Sequence, residues 1–230
     1  MSFFSSPFVS QLLVVVSSDW EKVEATLYRY ERREETLPWE RQGSPIPVVL
    51  GKNGMGWGRG VIDFTSFDGP SKKEGDGKSP AGFFYLGPAF GDLNYQNDHV
   101  STIPFMLVTE DLEWVDDPNS AYYNRVVNTD SIESPDWVSS EKMKEVGPLY
   151  RLGLVVQHNL NPVEGGKGSA IFIHIWESEN KGTHGCTAMS EGNLGEVVSW
   201  LRAEKSPCLV QMPIEEYRKR QALWELPEQI

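Results

Sequence analysis

Apolar positions in this chain come in short runs. Leu12 to Val16 is an unbroken apolar run, which predicts a buried strand. Asp19 then reads as an N-cap, and Trp20, Val23, Leu27 and Tyr30 fall on one stripe at helical spacing, so a helix is expected there. Pro45 to Leu50, Phe83 to Leu86, Thr102 to Thr109 and Gly153 to Gln157 are further strand candidates. In Ala170 to Trp176 the period is two. Ile171, Ile173 and Ile175 share one face, and Phe172, His174 and Trp176 share the other. Leu194, Val197, Val198 and Leu201 return to helical spacing behind a start signal at Ser190 to Asn193. Cys208 to Met212 reads as a strand, and Pro213 opens a last helix that runs to about Leu223. Asp116 to Asn124 and Asn128 to Glu145 are polar and loop-like.

Composition sharpens this pattern. Twenty-one Gly and fifteen Pro among 230 residues call for many turns. The expected fold class is therefore mainly β: a mixed, barrel-like sheet with a few peripheral α-helices. No repeat, low-complexity tract or linker divides the chain, so residues 1–230 are expected to form a single domain. A formal charge of −12 repels phosphate backbones and anionic lipid, so no nucleic-acid partner is expected. No run approaches the roughly eighteen apolar residues of a membrane helix, so no membrane insertion is expected either. The Leu12 to Val16 run is shorter than a signal-peptide core and has no basic residue before it, so no clear signal peptide is expected here; a mature chain shown without its leader, another export route and an intracellular protein all stay open. Oligomeric state is open.

Two glycine-rich stretches imitate nucleotide loops. In Gly51 to Gly60 no G-x-G-x-x-G register fits, because the third glycine would fall on Arg59 or Val61. Before Gly77-Lys78-Ser79 the first glycine of a phosphate loop would fall on Lys72. Both are read as turns.

The chemistry concentrates in His174 to Cys186, which holds two of the four histidines and one of the two cysteines. Gly185 permits a strained angle or a close approach, and a thiol on the next residue can stand exposed at a turn. An imidazolium near it, from His174 or His184, would lower the thiol pKa. The N–H groups of Gly185 and Cys186 are candidates for an oxyanion hole. No histidine follows Cys186, which excludes the papain-like order. Zinc bound by His174, His184 and Cys186, with His158 or Glu177, is the rival chemistry, but no C-x-x-C or H-E-x-x-H spacing supports it. Cys208, inside a strand pattern, reads as a small core residue.

Gly168 to His174 followed by Thr183-x-Gly185-Cys186 resembles the YkuD-type L,D-transpeptidase catalytic domain, whose motif is a histidine, a spacer, then [Ser/Thr]-x-Gly-Cys. Gly75 to Phe84, with Ser79-Pro80-x-Gly82 before an aromatic, is similar to the family's hairpin. Asp116 to Ser120, Tyr123-Asn124 and Tyr150-Arg151 look like a less characterised branch of the same superfamily. The likeness spans roughly Leu12 to Tyr217. It departs from the family in a shorter spacer before Thr183, in Ile175 after the histidine, and in Ala188 where Arg or Asn is frequent.

The resemblance implies a cysteine acyltransferase acting on peptidoglycan stem peptides through a thioester, without a cofactor or metal, in the periplasm or outside the cell. It implies Cys186 as nucleophile and His174 as general base oriented by a backbone carbonyl. His184 would tune the thiolate, and Gly185 would serve the oxyanion hole. Thr183, Trp176, Asp117, Tyr123 and Asn124 are the candidate substrate contacts. For the last three, ordinary turn chemistry is an equal reading. Ser79-Pro80-x-Gly82 reads as a turn, and Trp176 as core more readily than as a glycan platform. Water as the acceptor, giving an L,D-carboxypeptidase or endopeptidase, is the first alternative. A non-catalytic wall-binding module is the second, and a sortase-like enzyme the third. The last would need a longer His-to-Cys gap and a downstream arginine outside a helix, whereas Arg202 falls within the expected one.

Overall fold

The computed structural model describes residues 8–97, 101–228 and 230. His99 lies outside the described residues. In chain order the strands begin with β1 (Gln11–Ser17), β2 (Glu24–Glu31), β3 (Glu40–Val49), β4 (Met55–Trp57) and β5 (Ser79–Gly91). A short helix α1 (Leu93–Asn97) precedes β6 (Phe105–Leu107), β7 (Leu112–Val115), β8 (Val126–Asn128) and β9 (Ser140–Lys142). Then come β10 (Leu152–Val156), β11 (Phe172–Ile175), β12 (Thr187–Met189), α2 (Glu191–Trp200), β13 (Cys208–Pro213) and α3 (Ile214–Arg220).

A ten-stranded mixed sheet runs β10-β11-β12-β3-β2-β1-β13-β5-β4, with β6 attached to β5. β10 also pairs antiparallel with β5, which brings the sheet back onto itself. The result is the expected barrel-like, mainly β architecture with few helices, of which the turn-rich composition implies the β-rich part. The apolar run in β1 has its cause here. β1 lies between β2 and β13, and Leu12, Leu13, Val14 and Val15 are all fully buried. A strand covered on both faces needs no alternation. α3 packs against β13 and β1, and α2 against β10 and β11. The Ser190 hydroxyl accepts from the Asn193 N–H and caps α2, as the start signal predicts.

The expected helix after Asp19 is absent. Asp19 accepts from the N–H groups of Glu21 and Lys22, which closes a turn rather than opening a helix. β2 follows, paired in continuous register with β1 from Thr26 to Glu31. Leu27 and Tyr30 therefore sit on opposite faces, and both are buried. A strand covered on two sides puts apolar residues three apart and so imitates a helical stripe. Other boundaries also move. β5 reaches well beyond Phe83 to Leu86, and the Thr102 to Thr109 candidate shrinks to β6. The glycine-rich turns contain β4, and the last helix stops at Arg220 with Pro213 at its N-cap.

The polar stretch Asn128 to Glu145 is not all loop. β7 pairs with both β8 and β9 to form a separate three-stranded sheet. This small sheet covers the face of β10 and β11 that looks away from the barrel interior. Phe172, Phe90, Trp114, Met143, Tyr150, Ala170 and Cys186 form a second hydrophobic cluster there, distinct from the main core. Ile171, Ile173 and Ile175 point into the main core, as their period of two predicts.

Leu13→Ala removes a fully buried side chain from the barrel. It is expected to cost about 2–5 kcal/mol by urea denaturation. Leu223→Ala, at a position 74% exposed, should stay within about 0.5 kcal/mol.

Candidate active site

β11 carries His174 and runs parallel to β12, with His174 level with Ala188. Cys186 precedes β12, so the strand pairing alone brings the thiol to the neighbourhood of the imidazole. Both line one cavity of about 660 Å³, a size that suits a peptide fragment. His174 Nδ1 lies 2.8 Å from the Ile175 carbonyl. With Nδ1–H donating to that oxygen, Nε2 is left as the basic nitrogen.

The turn before Cys186 is fixed by its own side chains. The Thr183 hydroxyl donates to the Cys186 carbonyl at 2.6 Å and accepts from the Gly185 N–H at 3.0 Å. The Ser79 hydroxyl donates to the same carbonyl at 2.9 Å. Gly185 has φ of +154°, and a Cβ there would come within 3.1 Å of the Lys78 carbonyl. Backbone angle and close approach therefore both require glycine.

The thiol is buried. It accepts from the Phe172 N–H at 3.3 Å and donates toward the Ala170 carbonyl at 3.4 Å. Ala170 has φ of +52°, a conformation that costs a non-glycine residue of order 1–3 kcal/mol. Asn124 holds it. Its Oδ1 accepts from the Ala170 N–H and from Trp114 Nε1, and its Nδ2 donates to the carbonyls of His158 and Asn159. Burial pushes the Cys186 thiol pKa up, and the Glu141 carboxylate adds to the rise. The Phe172 N–H and Lys72 oppose it. Burial also lowers the His174 pKa to about 4, against its hydrogen bond to Ile175. The two groups in this cavity are thus a neutral thiol and a neutral imidazole.

The match to known proteins falls on this geometry. The YkuD family model, described as the L,D-transpeptidase catalytic domain, matches residues 14–212. The chain belongs to this family. Among solved structures, it is similar to a point mutant of the helical cell shape determining protein Pgp2 from Campylobacter jejuni. That likeness has 16% identity and a TM-score of 0.39, covering 89% of this chain and 48% of the other. The chain thus spans about half the length of that structure. No curated protein matches.

Against the family's pattern the site brings together Cys186, His174, Thr183, Gly185, His184 and Trp176, all of which line the cavity. Four expectations need correction. Cys186 is buried rather than exposed at its turn, because the small sheet closes over it. No imidazolium lowers the thiol pKa, since His184 is exposed at the rim and the charges acting on the thiol are Glu141 and Lys72. The Gly185 N–H is spent on Thr183, which leaves the Cys186 N–H as the oxyanion donor without an acceptor among the described residues. Ser79 ties down the Cys186 carbonyl instead of merely shaping a turn.

Asp117, Tyr123 and Asn124 lie outside the cavity lining. Asp117 accepts from the N–H groups of Asn119 and Val138 and closes a turn. Tyr123 donates to Glu74 at 2.5 Å and accepts from the Gly168 N–H, so it aims a carboxylate that does line the cavity. The cavity wall also contains Lys72, Glu74, Asp116, Glu141 and Tyr150. Lys72 is paired with Asp76 at 2.6 Å, while Asp116 Oδ1 is buried without a donor among the described residues. Among those residues no group of three or more His, Cys, Asp and Glu is disposed to hold a metal ion.

Asn124→Ala leaves several buried backbone groups unpaired and should cost about 3 kcal/mol or more in urea denaturation. The buried histidines set a pH dependence. His158 and His174 titrate near 4 in the fold and near 6.5 when released. Between those values the unfolded chain binds more protons, so stability falls as pH falls. Glu141 acts the other way, because its pKa rises to about 7 in the fold from an ordinary 4.5. Its folded-state protonation supports the fold in that window. The urea midpoint should therefore drop from pH 6.5 toward pH 4.5, and drop more steeply in Glu141→Gln.

Proposed function

We propose that this chain is a cysteine L,D-transpeptidase that acts on peptidoglycan stem peptides in the cell envelope. The observation that carries the reading is the placement of Cys186 and His174 in one cavity, with Nδ1 tied to a backbone carbonyl and Nε2 left basic. The family is one of peptidoglycan-acting enzymes. Among the described residues no helix is long and apolar enough to cross a membrane.

The reaction follows from these groups. On binding, the thiol turns from the Ala170 carbonyl toward His174, and Nε2 takes its proton as sulfur attacks the scissile carbonyl. The Cys186 N–H donates to the oxyanion. When the tetrahedral adduct collapses, the C–N bond breaks, and the imidazolium passes its proton to the departing amine. A thioester remains. An amine from a second stem peptide attacks it, His174 takes that proton, and the returning sulfur is reprotonated. The cavity wall around the sulfur determines which nucleophile arrives; water in place of the amine would give the carboxypeptidase.

Intact-mass spectrometry after incubation with a tetrapeptide stem or a carbapenem should show an adduct on the wild type and none on Cys186→Ala. An adduct on the variant would sink the assignment. His174→Gln should slow acylation by about 10²–10⁴-fold. Muropeptide digests should contain cross-linked dimers; trimmed monomers alone would transfer the reading to the water-resolved enzyme.

A further inference from the structure

We propose that Tyr150 is a positioning residue for His174 and Cys186, and that Glu141 holds it in place. The inference assigns a role inside the cysteine chemistry proposed above and rests on it. It begins from a gap in the support of His174. Among the described residues a single hydrogen bond, from Nδ1–H to the Ile175 carbonyl, fixes one point of the ring. An imidazole held at one point still pivots about it. The second point is aromatic. The Tyr150 ring packs edge-on to His174, with centroids 5.3 Å apart and planes at 67°. The same ring meets Phe172 at 5.6 Å and Phe90 at 5.5 Å, so it is wedged between the β11 face and the end of β5. A pivot of His174 toward that side meets a packed ring.

Tyr150 is held in turn. It ends the short 3-10 turn Gly147–Tyr150, just before β10, and its hydroxyl donates to Glu141 Oε2. Burial and the nearby negative charge push the phenol pKa well up, so it stays a donor. Glu141 stands on β9 of the small sheet and has no ion-pair partner among the described residues. Tyr150, Glu141, His174 and Cys186 all line the one cavity. The small sheet contributes neither nucleophile nor base, yet through this hydrogen bond it reaches the imidazole. Glu141 has a second effect, because its carboxylate opposes ionisation of the thiol. The other charged and titratable groups lining that cavity are Lys72 and Glu74 before β5, Asp116 after β7, Lys52 after β3, and Glu177, Lys181 and His184 between β11 and β12, where Lys181 pairs with Glu177.

The test compares wild type, Tyr150→Phe, Tyr150→Leu and Glu141→Gln. Two rates are read: acylation by a carbapenem, resolved into saturation constant and maximal rate, and alkylation of Cys186 by iodoacetamide across pH. Tyr150→Leu should lower the maximal acylation rate by about 10²-fold, the scale of a misplaced catalytic group, with the saturation constant nearly unchanged. Tyr150→Phe keeps the wedge but frees it from Glu141, and should lose about tenfold. Glu141→Gln keeps an acceptor for the phenol but removes the charge, so its alkylation profile should move to lower pH. A cooperative melt checks that each variant is folded; if Tyr150→Leu is not, Tyr150→Phe and Glu141→Gln decide. Wild-type acylation in Tyr150→Phe together with an unmoved alkylation profile in Glu141→Gln overturns the proposal. Alkylation needs no peptidoglycan. A wild type that alkylates but processes no stem peptide would fail the functional reading while the variants still test the positioning role.

Discussion

The burial of one sulfur governs the site. Cys186 sits on the outer face of the barrel, where a strand would ordinarily meet water, and the small β7–β9 sheet covers it. Desolvation raises the cost of its thiolate, and the same cover lowers the His174 pKa to about 4. A charged thiolate–imidazolium pair is then disfavoured from both sides. What the fold supplies instead is fixed placement: a thiol aimed at the Ala170 carbonyl, an imidazole tied to Ile175, and a backbone N–H beside the sulfur.

That placement depends on local strain held by polar anchors. Ala170 and Asn124 both have positive φ, and Gly185 sits where only glycine fits. Glycine and asparagine tolerate such angles, but an alanine does not hold one without outside support. For Ala170 the support is the Asn124 side chain, which also binds Trp114 and the carbonyls of His158 and Asn159. For the Cys186 turn it is the paired hydroxyls of Thr183 and Ser79 on one carbonyl. Residues that look like substrate contacts or turn formers in the sequence therefore bond to the backbone that holds Cys186.

The difference between what was legible and what was not follows from periodicity. β11 could be read residue by residue, because one of its faces is main core and the other is the site, so the alternation has meaning. The Thr183-x-Gly185-Cys186 turn was legible because glycine and a hydroxyl are needed at fixed offsets. β2 reads as a helix because its burial is two-sided: Leu27 and Tyr30 face opposite ways, yet stand three apart. The small sheet was missed because β8 and β9 are only three residues long and half exposed, too short for any period. Glu74, Glu141 and Lys72 carry no spacing at all. A charged residue in a polar loop reads as solvated until the tertiary structure turns it toward a cavity.

The same burial bears on how an acyl-enzyme here would be resolved. A thioester on Cys186 would have Phe172, Ala170 and Tyr150 behind it, and only the cavity in front. Any resolving nucleophile has to enter through that volume and lose its proton to His174 Nε2. Water and an amine meet the same steric gate, so the barrier at the sulfur does not distinguish them. The distinction passes to the walls, which hold Glu74, Asp116 and Glu141 together with Lys52, with Lys72 paired to Asp76 and Lys181 to Glu177. An amine arrives protonated, and a carboxylate wall concentrates it beside the thioester. It must then give up that proton before it can attack. With the Glu141 pKa at about 7, a group able to accept a proton near neutrality lies in the same wall, and on the transpeptidase reading proposed above it would be the group that readies an amine for attack.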